Sequence, residues 1–511
     1  MPPGGDAASA AGARSPRSVY DWVISGNETF SGPKIISSNI TVESNGTLTL
    51  ENAIIMIIQY AGSDFAFLVK SGGSLFINGY SSIYVPRLEV EPGADILLNG
   101  SQLNVSGMCN VSGNFSILDS EINVTGGTGS SASGSGEPAT LILGGDCPGV
   151  IRRSTVVVAG GDGAKGADGQ GTKGEAGGNA SLSIIADEFV ETNLTVRAGN
   201  GGKGGMPGAT TTHGGPGGKG GSAMVRLQAK AFTASKLNAS SGNGGDGLDG
   251  STTSGVDAGN GGEGGDGGSV DLCWTGNDLK VTGGSNISIY SGRGGKAGGG
   301  GQAQSSGKWG GNGGRGGSGG PVVAGIRASG TMSLKDSIVD FRAGYGASGG
   351  IYGRATLGGK DGTSGDGGDG GLSTLTVRCT DNFAATNSTL LVQAGDGGNG
   401  GLGSTGGRGG EGGSSLLNLT ALDSRTWSRA SISNSTLSSH GGNGGDGGKG
   451  FSIGLSQGQP GDGGGGGDAG LYIHCSDNFT VLNSHLVCNE GFGGAADEPA
   501  KPGNPGMGEL Y

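Results

Sequence analysis

His474 and Cys475 stand side by side, and His485 and Cys488 follow a few residues later. Imidazole and thiolate are common zinc ligands, so these four groups would suit a tetrahedral site. Neighbours on a strand point to opposite faces, which takes His474 and Cys475 apart, and no H-E-x-x-H or paired C-x-x-C spacing accompanies them. His213 and His440 complete the four histidines of the chain. A second candidate is the motif Cys-x-Asp-Asn-Phe, which occurs at Cys379–Phe383 and again at Cys475–Phe479. Asp381 and Asp477 could form a carboxylate ladder that holds Ca²⁺ or works as the acid and base of glycoside cleavage. The competing reading is an Asp/Asn turn that caps its own backbone ahead of an apolar residue, and the lack of any Asp-Asp pair favours it. Gly244-Gly-Asp-Gly-Leu-Asp matches part of a Ca²⁺-binding nonapeptide repeat but lacks the apolar residue that should follow and is not in tandem. G-x-G-x-x-G recurs without opening a helix after a strand, and no G-K-Ser/Thr exists, so dinucleotide and P-loop chemistry are set aside. A collagen-like register at Gly163–Gly177 slips and lacks proline. The sequence therefore assigns no catalytic residue, no cofactor and no metal site.

The elements around these residues are set by glycine. There are 124 in 511 residues, most of them in eight tracts of G-G-x spacing such as Gly160–Gly178, Gly199–Gly221, Gly242–Gly268, Gly292–Gly320 and Gly441–Gly467. Spacers of about two dozen residues separate the tracts and resemble one another, the mark of a repeat architecture. Each spacer opens on an alternating run (Leu182/Ile184, Val225/Leu227, Leu375/Val377, Leu471/Ile473) and closes on a small polar pair, alternate apolar residues and a glycine. Thr192-Asn-Leu-Thr-Val-Arg-Ala-Gly and Asn387-Ser-Thr-Leu-Leu-Val-Gln-Ala-Gly are examples. Period-two runs bounded by turn residues predict short strands.

The same template without long tracts fills the N-terminal part, as in Ile40–Leu50, Phe67–Ile77, Leu88–Leu98 and Phe115–Val124. Strand, glycine turn, strand, polar turn, strand in little over twenty residues is one coil of a parallel β-solenoid. The expected fold is all-β: a single-stranded parallel β-solenoid, or β-helix, of about twelve coils and roughly 60 Å, with the glycine tracts leaving at one corner. Those tracts suit polyproline II-like strands, in which two glycine faces let backbones touch while the third residue points out. The expected divisions are a disordered arm over 1–18, N-terminal coils over 19–125, glycine-rich coils over 126–495 and a Pro/Gly tail over 496–511.

Gly441-Gly-Asn-Gly-Gly-Asp-Gly-Gly-Lys-Gly and Gly199-Asn-Gly-Gly-Lys-Gly-Gly resemble the glycine-rich PGRS-type domains of mycobacterial surface proteins and the polyglycine layers of phage tail-fibre adhesins. The coils resemble right-handed β-helix repeats. The resemblance covers the tracts alone and implies adhesion or display at a surface; this chain departs from it by inserting a β-coil after every tract.

Hydrophobic residues are 32% and aromatics 5%, too few for a globular core of this length but enough for a thin rod. A net charge of −12 argues against nucleic acid as a partner. No run reaches the length of a membrane span, Ala53–Gln59 being the best, and the first residues lack the layout of a secretory signal. Sixteen N-x-Ser/Thr sites, among them Asn27, Asn45, Asn193, Asn387 and Asn434, favour an extracellular glycoprotein. Cys273, Cys379 and Cys475 read as equivalent, buried thiols two coils apart, about 9.6 Å and so beyond disulfide reach. Cys475 with Cys488 and Cys109 with Cys147 remain eligible pairs. The functional expectation is a non-enzymatic fibre subunit or adhesin that self-associates or meets a glycan or receptor. The alternatives are a glycan-binding or polysaccharide-degrading β-helix and an ice-binding protein.

Overall fold

The computed structural model describes residues 21–60, 63–130, 134–145, 149–208, 212–252, 255–356, 358–421, 428–451 and 458–511. The expected arm over 1–18 and Cys147 lie outside them. Among the described residues the regular elements are all β-strands, and they join into one continuous sheet. Parallel strands cannot be joined by a tight turn, so each needs a long return connection. Here that connection is the rest of the repeat.

Three ladders result. Ala223–Gln228, Ala231–Thr233 and Lys236–Ser240 pair in parallel with Val270–Gly276, Leu279–Thr282 and Asn286–Tyr290. Those pair in turn with Val322–Ala328, Met332–Lys335 and Ile338–Arg342. Alternation then drops one apolar residue onto the next. Val225, Leu272, Ala324 and Leu375 form one buried column, and Phe232, Val281, Leu334 and Ala385 form another. Burying each large aliphatic side chain contributes about 1.5–3 kcal/mol, which suffices for a narrow core because every repeat supplies several. Phe189, Phe232 and Trp274 continue the stack edge to face, at 5.7 and 5.8 Å between ring centres. The Trp274 indole N–H donates to the Ala229 carbonyl at 3.3 Å.

The small polar pair in the template has a specific task. Its first residue turns the chain between the second and third strands with positive φ, as at Asp336, Asn387 and Asn434 (53°, 50° and 49°). Asn and Asp adopt that region more readily than other side chains. The second residue is a buried serine whose N–H donates to the serine hydroxyl of the next repeat: Ser337 to Ser388 at 3.2 Å, Ser388 to Ser435 at 3.0 Å. A row of hydroxyls thus satisfies buried backbone donors that the strands leave free.

The glycine tracts start after the third strand and return to the next first strand, folding back on themselves. In the tract with legs 199–208 and 212–221, Gly201 and Gly204 donate to Asn243 and Asp246 of the next outward leg at 2.8 and 2.9 Å. Gly202 donates to Glu175 of the previous return leg, and Gly218 donates back to Gly202, both at 2.7 Å. Outward legs form one layer and return legs a second, with hydrogen bonds within and between them. A Cβ at Gly245 would meet the Gly202 carbonyl, and one at Gly265 the Gly218 carbonyl, well inside van der Waals contact.

Several expectations change. Cys273 aligns with Arg226 and Gly325 and is exposed, whereas Cys379 aligns with Ala328 and Ala421, and Cys475 with Ala421. The three thiols therefore do not share a column: Cys273 falls on an outward-facing position of its strand. Cys475 and Cys488 are free thiols, so that disulfide is not formed. The segment over 496–511 carries the strand Gly508–Leu510, which pairs with Ala469–Leu471, and Gly503 and Gly506 donate into the glycine layers.

Glycine at the layer contacts and glycine on an outward strand position should behave oppositely. Gly265→Ala should destabilise by about 1–3 kcal/mol or more, because backbone rather than a yielding side chain is in the way. Gly325, with open space where a Cβ would stand, should accept Ala with no loss or a gain of up to about 1 kcal/mol. Urea and thermal unfolding of the two variants measure the contrast; equal midpoints would mean the layers do not pack at this distance.

Candidate functional site

The repeated Asp/Asn turns sit at the corner between the first and second strands. Their side chains bond to the neighbouring repeat and not to their own backbone. Asp278 Oδ1 accepts from the Thr331 N–H at 2.8 Å and hydroxyl at 3.0 Å, and Asn382 Oδ1 accepts from the Arg429 N–H at 3.0 Å. Asp477 accepts from the Arg429 guanidinium at 2.8 Å. The pairing Phe383–Ala430–Phe479 inserts Ser428 and Arg429 between Asp381 and Asp477, so the two carboxylates are not brought together. The self-capping turn is corrected in the same stroke: the Asp278 and Asn382 side chains accept from N–H groups of the next repeat.

His474 and Cys475 separate as strand geometry requires. His474 is exposed and stacks on Tyr472 at 6.4 Å, while Cys475 packs against the core. The Cys488 thiol donates to the Glu509 carbonyl at 3.2 Å. Among the described residues no group of three His, Cys, Asp or Glu side chains could hold a metal ion. In the segment that partly matches a Ca²⁺ repeat, Asp246 caps the Lys296 N–H at 3.1 Å and pairs with Lys203 at 3.3 Å, and Asp249 caps the Gly299 N–H at 2.6 Å. These carboxylates hold the layer together.

A groove of about 1010 Å³ follows the same corner along the stack. Its floor is small, with Ala229, Gly276 and Ala328, and one wall is the in-register row Thr275, Arg327, Arg378 and Thr420. The opposite wall carries Asn277, Ser329 and Thr380, where Ser329 donates to Asn277 at 2.9 Å and Thr380 to the Ser329 carbonyl at 2.7 Å. The Asp187–Lys230 ion pair, 2.9 Å, stands at one end. Sequence reading missed this row, because Arg327 and Arg378 become neighbours only through the strand register. Their shared place, just before the corner in successive first strands, is the signal that could have found them.

No protein-family model matches the chain, and no curated protein does. Among solved structures, a springtail antifreeze protein from Granisotoma rainieri, described as a nine-helix polyproline type II bundle whose crystal waters match the ice lattice, is 19% identical and covers 51% of this chain and 98% of its own. The TM-score is 0.10, at which the likeness shows neither fold nor function. No described helix is long and apolar enough to cross a membrane.

Two outcomes follow from the local chemistry. Burial pushes the Cys109 thiol up to about 12 and the Cys379 thiol to about 11, away from the thiolate that reacts. Alkylation of the native protein, mapped by peptide mass spectrometry, should label Cys273 first and spare Cys109 and Cys379 until unfolding; simultaneous labelling would place all three in solvent. The second outcome concerns acid. A backbone N–H from Thr331 lowers the Asp278 pKa, the Arg153 guanidinium lowers that of Asp119, and a backbone N–H from Ser71 lowers that of Glu91. Groups with depressed folded-state values add stability that is complete above their unfolded values, about 4, and vanishes as pH falls through the folded ones. The thermal midpoint should stay level from pH 7 to about 5 and drop below about 4. A midpoint unchanged to pH 2 would deny these caps any role.

Proposed function

We propose that this chain is a single-stranded parallel β-solenoid of about twelve coils, buttressed along one corner by a polyproline II-like glycine double layer. In this reading it works as a non-enzymatic structural rod at an extracellular or cell surface, a fibre subunit or adhesin. The observation that carries the reading is continuity. Parallel register runs from Trp22–Ile24 to Gly508–Leu510, and the glycine legs add a second hydrogen-bonded stack with the same repeat. Two stacks that share one axis resist bending far better than either alone.

The last three-strand repeat supports end-to-end association. Phe479 and Val481 are 45% and 41% exposed, in register with Ala430 and Ile432, which the repeat before keeps buried. A second copy would supply the strands that cover them, since an unpaired strand edge is a template for another chain. Sequons such as Asn387 and Asn434 fall on exposed turns with positive φ, which leaves room for glycans along the rod.

Negative-stain electron microscopy over a concentration series tests the reading. Filaments with an axial repeat near the single-rod length, roughly 60 Å, are expected. Their loss in Phe479→Asp/Val481→Asp would locate the contact. Short dispersed rods at every concentration would overturn the filament.

A further inference from the structure

We infer that the corner groove is a binding site for a linear polysaccharide that carries carboxylates, with Arg327 and Arg378 as the anion-reading residues. The inference goes beyond the structural-rod reading and does not depend on it.

An imbalance of charge marks the site. Arg327 and Arg378 occupy equivalent positions on adjacent parallel strands, about 4.8 Å apart. Like charges directly opposite each other on a sheet are destabilising. Arg153, Arg315, Arg342 and Arg429 each hold a carboxylate, whereas Arg197 and Arg226 hold none among the described residues but neither lies in register with a second arginine. Neither the Arg327 nor the Arg378 guanidinium has a hydrogen-bond or ion-pair partner among the described residues. Two unpaired forks, side by side in this groove, form a ready site for anions that bind bidentately.

Shape narrows the ligand. The groove runs along the stack across several repeats, so it fits an extended chain better than a compact molecule. Small residues on its floor let a flat ring lie close, and amide and hydroxyl groups of Asn277, Ser329 and Thr380 face it from the second wall. That combination of forks, apolar floor and neutral polar rim suits a chain of sugar rings with acidic substituents. A peptide would gain most of its affinity by adding a strand to a free sheet edge. The strands beneath this groove have none, because each is bonded on both sides. Nucleic acid needs more cations than two, and the net charge of −12 opposes it.

The test uses the full chain and calorimetric titration with polygalacturonate, neutral dextran, dextran sulfate and poly-L-glutamate. Polygalacturonate should bind and weaken as salt is raised, while dextran should not bind. Affinity should fall roughly tenfold or more in R327Q/R378Q. R327K/R378K, which keeps charge but loses the fork, should lie between the two. K236Q/K335Q, the same change of charge on other faces, should bind as the parent does. Thermal midpoint should not fall below the parent's, and rod length in the microscope should match it, in every variant, which separates loss of binding from loss of fold and from failure of the filament reading. Absent binding at low salt, or equal binding by R327Q/R378Q, would overturn the site. Dextran sulfate binding more tightly than polygalacturonate would overturn the carboxylate assignment. Arginine-dependent binding of poly-L-glutamate at equal affinity would replace the polysaccharide by an acidic peptide.

Discussion

Backbone hydrogen bonding between one repeat and the next is the interaction on which everything else in this protein rests. Each strand inside the stack donates and accepts on both edges, so every inner repeat is completed by its neighbours rather than by itself. The side chains follow from that constraint. Alternate residues must be apolar because they stack on the same position of the repeat before, and the turn between the second and third strands must expose no unbonded N–H. A serine hydroxyl meets that second need at Ser337, Ser388 and Ser435 because it both donates and accepts within one small volume.

The glycine layers obey the same constraint by other means. In a G-G-x leg the two glycine N–H groups reach neighbouring legs, as Gly201 and Gly202 do. The third N–H points outward and has no backbone carbonyl within reach. A short polar side chain one repeat earlier takes it: Asp162 accepts from Asn200, Asn200 from Asn243, and Asn243 from Arg293. The outward residues therefore form ladders of Asp and Asn with a structural task. Lysine and arginine enter where a carboxylate also needs a counter-charge, as in Lys203 with Asp246 and Lys219 with Asp266. Exposed pairs of this kind contribute little each, so the caps rather than the ion pairs hold the outer faces.

Much of this was legible in the sequence because the signal repeats. Period two, the small polar pair and the glycine spacing each recur often enough to reveal three strands and one protruding tract per repeat. What stayed hidden depends on register. Outward Asp and Asn read as a solvated face, since nothing in one tract shows that its carboxylate lies over the next tract's N–H. Cys273 read as a core thiol because its distance from the strand end, on which facing depends, differs by an odd number from that of Cys379. A slip of one residue reverses the face of a strand position. Arg327 and Arg378 escaped for the same reason: a lateral site on a stack is written one residue per repeat, far apart in the chain.

Stacking also decides where such a site can be placed at little cost to the fold. Inward positions are committed to the columns, and the third residues of the glycine legs are committed to caps. The outward positions beside the first corner carry neither duty, and Gln228, Thr275, Arg327, Arg378 and Thr420 vary there without regard to any neighbour's packing. A fold made of nearest-neighbour contacts confines a substitution's effect to adjacent repeats. The corner row is thus free to change chemistry one residue at a time, and two adjacent arginines can stand there without disturbing the packed columns.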